Sequence, residues 1–353
     1  MSPLHRILHD RLTAALDGRL TFAEVMELAL YHPQHGYYGP GPRRLGRGGD
    51  FFTAVSTGPL YGRLLAALAR QVWQEMGTPG GFTVIEQGAH DGQLAEDVLG
   101  AQSELPYVIV EPNAACEKVQ QEKLAAFAGR VRWVQSLADL PACPALFLCN
   151  ELPDAMPVHR VRWDGREWGE LYVVENAGAF QFVSRPLSCE RLAHEVARLP
   201  CDLVAGYTTE IGLASLDWMS ALATAPFHGT IYIADYGFDE AELYDPGRST
   251  GTLRRYHAHQ TDDRVLEELG GCDLTAHVNY TRLIETAEAG GMTRRAYEHQ
   301  GRFIGRLGLP WLGSLDGRAP DAATQALLRQ YQSLTHPAFL GRSFRVLMLD
   351  KPA

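Results

Sequence analysis

The chain has 353 residues, 46% apolar and 21% charged, an ordinary balance for a soluble globular protein and enough for one elaborated α/β domain or two modest ones. Its net charge of −10 argues against a general nucleic-acid binder, because phosphate contacts need a basic surface, and is compatible with a cationic partner. The start, MSPLHRILHDRL, lacks the apolar core and cleavage site of a secretory signal, and no apolar run approaches the roughly 20 residues that span a bilayer. The six cysteines, Cys116, Cys143, Cys149, Cys189, Cys201 and Cys272, show neither metal-ligand spacing nor a disulfide-scaffold pattern. The expectation is a reduced, cytoplasmic protein with no metal and no membrane insertion.

The N-terminal region reads as helical. Thr21 and Glu24 have the spacing of a capping box, in which hydroxyl and carboxylate satisfy free backbone N–H groups reciprocally. Val25, Leu28 and Ala29 supply an apolar face, and Pro33 stops the helix. The next segment, HPQHGYYGPGPRRLGRGGDFFTAVSTGP, is rich in glycine, proline and aromatics, the composition of a covering or binding loop. A helix, LYGRLLAALARQVWQEM, follows, so residues 1–80 are expected to form an N-terminal helical region with such a loop.

From 81 to 353 the pattern is that of a second, larger domain. Strands are expected at 82–87, 107–111, 131–134, 145–149 and 230–235, several separated by helices, which indicates βαβ units and a mainly parallel sheet. The order breaks at VHRVRWDGREWGELYVV, where Asp-Gly between alternating segments marks a hairpin; an antiparallel insertion is expected at about 158–205. Ile211, Trp218, Met219 and Leu222 are placed on a helix before the fifth strand. Two further helices are expected near 280–290 and 321–334, and FRVLMLDK as a last strand.

In VIEQGAHDGQL, residues 84–94, an apolar strand runs through Gly88 and Gly92 into an amphipathic helix. Such a turn lets a ligand approach the backbone and meet a helix N-terminus, although a ligand-free βα connection carries the same glycines. The next strand, YVIVEPN, ends in Glu111, 23 residues after Gly88. A carboxylate there can accept hydrogen bonds from both ribose hydroxyls, for NAD and S-adenosylmethionine (SAM) alike, and a helix-capping or surface acid would look the same. After the fourth strand, CNELPDAMPVHR places Asn150, Glu151 and Asp154 at the carboxyl end of the sheet, where open α/β folds bind ligands. A cationic sulfonium or substrate favours acids at this point, whereas a dehydrogenase more often needs a histidine or tyrosine proton donor.

With these residues in place, the chain resembles the MidA-type SAM-dependent methyltransferases, whose mitochondrial members act as complex I assembly factors and methylate arginine. The resembling strings run in order from residue 20 to 349: LTFAEVMELALYHPQHGYY, GDFFTAVSTGPLYGRLLA, VIEQGAHDGQL, YVIVEPN, NELPDAMPVHR, GYTTEI, IADYG, GTLRRYHAHQ, DLTAHVNY and FLGRSFRVLML. The resemblance implies an α/β, Rossmann-like class I methyltransferase: a mainly parallel seven-stranded sheet with helices on both faces, the N-terminal helical region, and the antiparallel insertion. It implies SAM as cofactor and a protein substrate, with arginine as candidate acceptor and a respiratory-complex subunit as candidate partner; a homodimer is left open. A non-catalytic SAM-binding assembly factor and a small-molecule methyltransferase are the alternatives, with a nicotinamide oxidoreductase a more distant one.

Carried over residue by residue, the resemblance implies that Gly49, Asp50, Phe51 and Thr53 line the SAM site. Gly88 and Gly92 face the methionine part, Glu111 holds the ribose, and Ser136 and Leu137 sit near the adenine; Glu86, His90 and Pro112 are further cofactor-binding candidates. Asn150 and Glu151 would lie between cofactor and substrate. Asp154, Pro157 and His159 would shape the substrate side, and Arg254, Tyr256, His259, Asp273, Thr275 and His277 its far wall. The implied catalytic residues are Glu151, Asp154 and His277, though His277 between Ala276 and Val278 reads equally as a core histidine, and Arg254 and Arg255 as partners of surface acids. The chain departs from the family pattern in three places. Ala89 and His90 replace the proline and central glycine of the turn; Ala54, Val55 and Ser56 replace Ser-Pro-Glu; and Asn279 replaces an aspartate. The imidazole of His90 is expected to point sideways, towards the Asp50–Thr53 loop or solvent.

Overall fold

The computed structural model describes residues 2–42, 53–101, 104–257, 260–315 and 321–353. The chain forms two compact units, each built from three stretches. One gathers Gly41–Leu152, Met219–Gly237 and Ile284–Ala353; the other gathers Met1–Pro40, Pro153–Trp218 and Phe238–Leu283.

The first unit holds a sheet with seven strands along one path: β1 (Thr83–Gln87), β2 (Tyr107–Val110), β3 (Val131–Val134), β4 (Pro144–Asn150), β5 (His228–Phe238), β6 (Thr293–His299) and β7 (Phe344–Lys351). Their order is β6-β7-β5-β4-β1-β2-β3. β1 pairs in parallel with β2 and β4, β3 with β2, and β5 with β4. β7 is antiparallel to both β5 and β6. Register aligns Gln87 with Val110 and Cys149, so the residues that follow β1, β2 and β4 emerge along one edge.

Both parities of the central strands are buried. Leu146 and Leu148 share a core cluster with Leu64, Leu65 and Leu68 of the helix Leu60–Glu75 and with Leu94 and Val98 of the helix Gln93–Ala101. Ala145, Phe147 and Cys149, on the opposite face, are equally inaccessible. A sheet buried on both faces reads as a near-continuous apolar run, which is why β1, β2 and β4 stand out in the sequence. β6 does not: Thr-Arg-Arg-Ala-Tyr-Glu-His is an edge strand with a polar, partly exposed face, as edge strands commonly are. Gly229 is required by the β4–β5 pair, since a Cβ there would lie 2.2 Å from the Ala145 carbonyl oxygen.

The second unit is organised by an antiparallel sheet. Leu20–Thr21 pairs with Trp168–Asn176, that strand with His159–Trp163 and Ala179–Arg185, and His159–Trp163 with Thr208–Ile211. The Asp-Gly turn closes as expected: the Asp164 side chain accepts from the Arg166 and Glu167 amides at 2.7 and 2.8 Å, with Gly165 at φ +102°. A three-stranded sheet, Arg254–His257, Gln260–Asp262 and Asp273–Thr275, completes the unit.

This division differs from the expected boundary at residue 80. Leu20 and Thr21 pair with Val173 and Tyr172, so the capped helix Phe22–Tyr31 joins the insertion, while residues from Gly41 onward join the parallel sheet. The insertion also extends past 205 through Thr208–Ile211. Ile211 is therefore a strand residue: it pairs with His159, and the helix starts at Leu213 after Gly212. The capping box forms in full, with Glu24 N donating to Thr21 Oγ1 and Thr21 N donating to Glu24 Oε2.

Candidate functional site

β1 delivers the chain into the turn at 88–92. Gly88 and Gly92 lie at φ +84° and +83°, and His90 takes the same left-handed region at φ +50°. For a residue with a Cβ that conformation costs about 1–2 kcal/mol. Gly92 N donates to the Ala89 carbonyl at 2.7 Å and Gln93 N to Asp91 Oδ1 at 3.2 Å, opening the helix Gln93–Ala101. Burial works against the charge of Asp91, but neighbouring His90 and Lys123, whose Nζ is 2.6 Å away, outweigh it and hold the carboxyl well below the usual range. The imidazole of His90 is only 19% exposed, with Nδ1 3.7 Å from Asp91 Oδ1. It is thus covered rather than turned out to solvent. Both ring nitrogens lack a hydrogen bond among the described residues.

Glu111 directly follows β2 and is buried. Its Oε1 accepts from Asn113 N at 2.9 Å and its Oε2 from Gln120 Nε2 at 2.8 Å. Burial raises its pKa against those bonds. Glu86, within β1, accepts from the Tyr107 hydroxyl at 2.6 Å; burial pushes its carboxyl up to about 7, with Tyr107 opposing. At the end of β4, Asn150 Oδ1 accepts from the Tyr61 hydroxyl at 2.7 Å, and Tyr61 in turn meets the Tyr232 hydroxyl at 3.0 Å. Asn150 Nδ2 donates to Glu151 Oε1 at 3.0 Å, which also accepts from Ala54 N at 3.2 Å. Glu151 itself is left-handed, φ +53°. Thr53 and Ser56 are bonded reciprocally, Thr53 N to Ser56 Oγ and Ser56 N to Thr53 Oγ1. The serine found in place of the family's acid thus fixes the loop that presents Ala54 N.

The remaining cofactor candidates divide. Leu137 is buried, Ser136 is exposed and donates to Asp139 Oδ2, and Pro112 is exposed. Gly49, Asp50 and Phe51, with Phe52 and His259, lie outside the described residues. Sequence reasoning missed Gln120, Tyr61 and Asn113. Gln120 had a signal: it lies on the i, i+4, i+8 stripe Cys116, Gln120, Leu124 that is the buried face of an otherwise polar helix.

In the insertion unit, Asp154 and Asp273 are both buried. The Tyr38 hydroxyl donates to Asp273 Oδ2 at 2.7 Å and Tyr31 to the Ala155 carbonyl at 2.9 Å. Burial, followed by the charges of Asp273 and Asp154, raises the Tyr31 and Tyr38 pKa values; burial, with Asp154 ahead of Asp273, does the same at Tyr256. Asp154 is pushed well up by burial against backbone hydrogen bonds. The other candidates have structural partners. His159 Nδ1 meets Glu170 Oε1 at 2.8 Å, and Arg255 grips Asp262 with two bonds at 2.9 and 2.7 Å. His277 packs edge-on against Phe238, and its pKa is lowered to about 4 by burial, helped by Arg248 and Arg254. It lines a small cavity of about 30 Å³ with Glu195, Glu210, Asn279 and Arg282. Among the described residues no cluster could hold a metal ion, and no helix is long and apolar enough to cross a membrane.

A parallel sheet with one reversed strand, a glycine turn after its first strand and an acid after its second define the class I methyltransferase fold. Residues 64–297 match the model of the S-adenosyl-L-methionine-dependent methyltransferase family, and the chain belongs to that family. It is similar to the mitochondrial protein arginine methyltransferase NDUFAF7 of Danio rerio, 28% identical over 93% of this chain and 82% of that protein. The Mus musculus protein of the same name is 28% identical over 94% and 81%. A Burkholderia thailandensis protein crystallised with S-adenosyl-homocysteine superimposes with a TM-score of 0.85 and 30% identity, covering 99% of this chain and 94% of that one. The protein is a SAM-dependent methyltransferase. The expected cytoplasmic location does not stand, because these curated relatives are mitochondrial proteins. Reduced cysteines do not distinguish the cytosol from the interior of an organelle.

The turn and the two strand ends fit SAM. Gly88, at φ +84°, puts no side chain in the turn, and the covered nitrogens of His90 can still donate or accept. Each Glu111 oxygen accepts one of the bonds above and keeps a second acceptor position for a ribose hydroxyl.

Proposed function

We propose that the protein methylates a protein side chain, with an arginine guanidinium as acceptor. The observation that carries this reading is Glu151. It is a carboxylate at the end of the central strand β4, in a left-handed backbone, whose Oε1 accepts from Asn150 Nδ2 and the Ala54 amide. The relatives named protein arginine methyltransferase support it.

When bound, SAM supplies a methyl group on a positively charged sulfonium. Gly88, His90 and Gly92 would hold its methionine part, Glu111 its ribose, and Leu137 its adenine, with Glu86 and Asn150 as further polar groups of the same sheet. Glu151 would bind the acceptor. A guanidinium has a pKa above about 12, so it arrives charged, and a carboxylate can take two of its N–H groups and aim a third nitrogen. Alignment of this kind supplies much of the rate enhancement when the reacting group is already activated. His277 would gain a proton only near pH 4, which favours a packing role.

The test incubates wild type and Glu151→Gln with methyl-labelled SAM and a proteome from cells lacking the enzyme. Label on arginine with wild type, at least about 100-fold less with Glu151→Gln at unchanged SAM affinity, is the expected result. Label confined to small molecules, or full activity in Glu151→Gln, would end this reading.

A further inference from the structure

We propose that Gln120 is the positioning residue of the cofactor site, tying the His90 turn to the Glu111 carboxylate and so presetting the turn for the methionine part and the acid for the ribose. The proposal rests on the reading of Glu111 as the ribose acceptor. Gln120 is wholly inaccessible. Its Nε2 donates to the His90 carbonyl at 2.9 Å and to Glu111 Oε2 at 2.8 Å, and its Oε1 accepts from the Trp133 indole at 2.9 Å. The amide orientation is fixed by these partners, because an indole N–H can only donate, whereas a carbonyl and a carboxylate can only accept.

One side chain thereby joins the turn after β1, the acid after β2, and β3 itself. The turn also passes close to it: a Cβ added to Gly92 would stand 3.5 Å from Gln120 Cγ, in ordinary van der Waals contact. An apolar residue would fill the stripe between Cys116 and Leu124 at lower desolvation cost, so a buried amide here needs a reason beyond packing. A neutral donor supplies one. It fixes the orientation of Glu111 without cancelling its negative charge and leaves acceptor positions for the ligand, whereas an arginine would neutralise it.

Calorimetric titration of SAM into wild type, Glu111→Ala, Gln120→Leu and the double variant tests the proposal. About 100-fold weaker binding is expected for Glu111→Ala and about tenfold for Gln120→Leu. The double variant should stay close to the 100-fold of Glu111→Ala, because Gln120 acts largely through that carboxylate. Wild-type affinity in Gln120→Leu, or losses that multiply to about 1,000-fold, would overturn the positioning role. Wild-type affinity in Glu111→Ala would instead remove the ribose reading and the proposal with it.

Should Gln120→Leu fail to fold, Gln120→Glu keeps its length and the Trp133 acceptor. Its carboxyl can donate to Glu111 only when protonated, so SAM affinity relative to wild type should fall about tenfold at pH 8 and recover towards pH 5. A ratio to wild type that does not change with pH counts against the proposal.

Discussion

In the parallel-sheet unit, Glu86 accepts from a phenol, Glu111 from an amide side chain and a backbone N–H, and Glu151 from Asn150 and the Ala54 amide. In the insertion unit, Glu195 is gripped by Arg282 with two bonds at 2.6 Å, Asp262 by Arg255, and Glu170 by His159. The difference separates two uses of a buried acid. A cationic or ionisable partner offsets the charge, and the carboxylate becomes part of the scaffold. A neutral donor fixes the geometry without adding an opposing charge, which suits a ligand that brings its own positive charge. Asp273 accepts from the Tyr38 hydroxyl in the insertion unit, and the Asp91–Lys123 pair is the scaffold type within the parallel-sheet unit.

The sharpest way to break this contrast is Arg282→Met, which strands Glu195 beneath the surface. Unfolding free energy should fall by about 3–5 kcal/mol, read by chemical denaturation. Glu86 supplies the converse, a pH effect. Its folded pKa of about 7 exceeds its ordinary 4.5, so the folded state holds a proton that the unfolded state releases. Stability is greatest below the unfolded value and declines by about 1.4 kcal/mol per pH unit as pH rises towards 7, up to about 3 kcal/mol in all. Glu86→Gln should flatten that slope; an unchanged slope would place the titration elsewhere.

Glu111→Ala should reduce SAM affinity by about 2–3 kcal/mol and stability by only about 1–2 kcal/mol, because it leaves neutral donors without an acceptor and strands no buried charge. A thermal shift as large as that of Arg282→Met would erase the distinction. The smallest effect is expected at Thr21→Ala, where loss of the capping box should cost about 1 kcal/mol of stability without changing SAM binding.

The parallel-sheet unit was largely legible in the sequence because its key groups lie where local rules put them. Strands buried on both faces give apolar runs, and Gly88, Glu111, Asn150 and Glu151 follow those runs directly. Gln120 escaped because a glutamine in a polar helix reads as solvated unless the buried stripe is traced through it. The insertion was legible only in part. The Asp164-Gly165 turn announces a hairpin, but nothing local shows that Leu20 and Thr21 pair with that hairpin's second strand. Tyr38, Asp154, Tyr256 and Asp273 converge from four separate segments. Ile211 was drawn into a helix because an apolar residue before an amphipathic stretch fits either element, and only pairing with His159 decides.

The left-handed backbone at His90 has a consequence for how position 90 tolerates change. A saturation library there should sort first by conformation and only then by polarity. Glycine and asparagine accept φ +50° readily, whereas valine, isoleucine and threonine resist it. If glycine and asparagine both match histidine in SAM turnover, the position is held by its backbone. If only histidine survives among residues that fold, the imidazole itself is what the sequence retains.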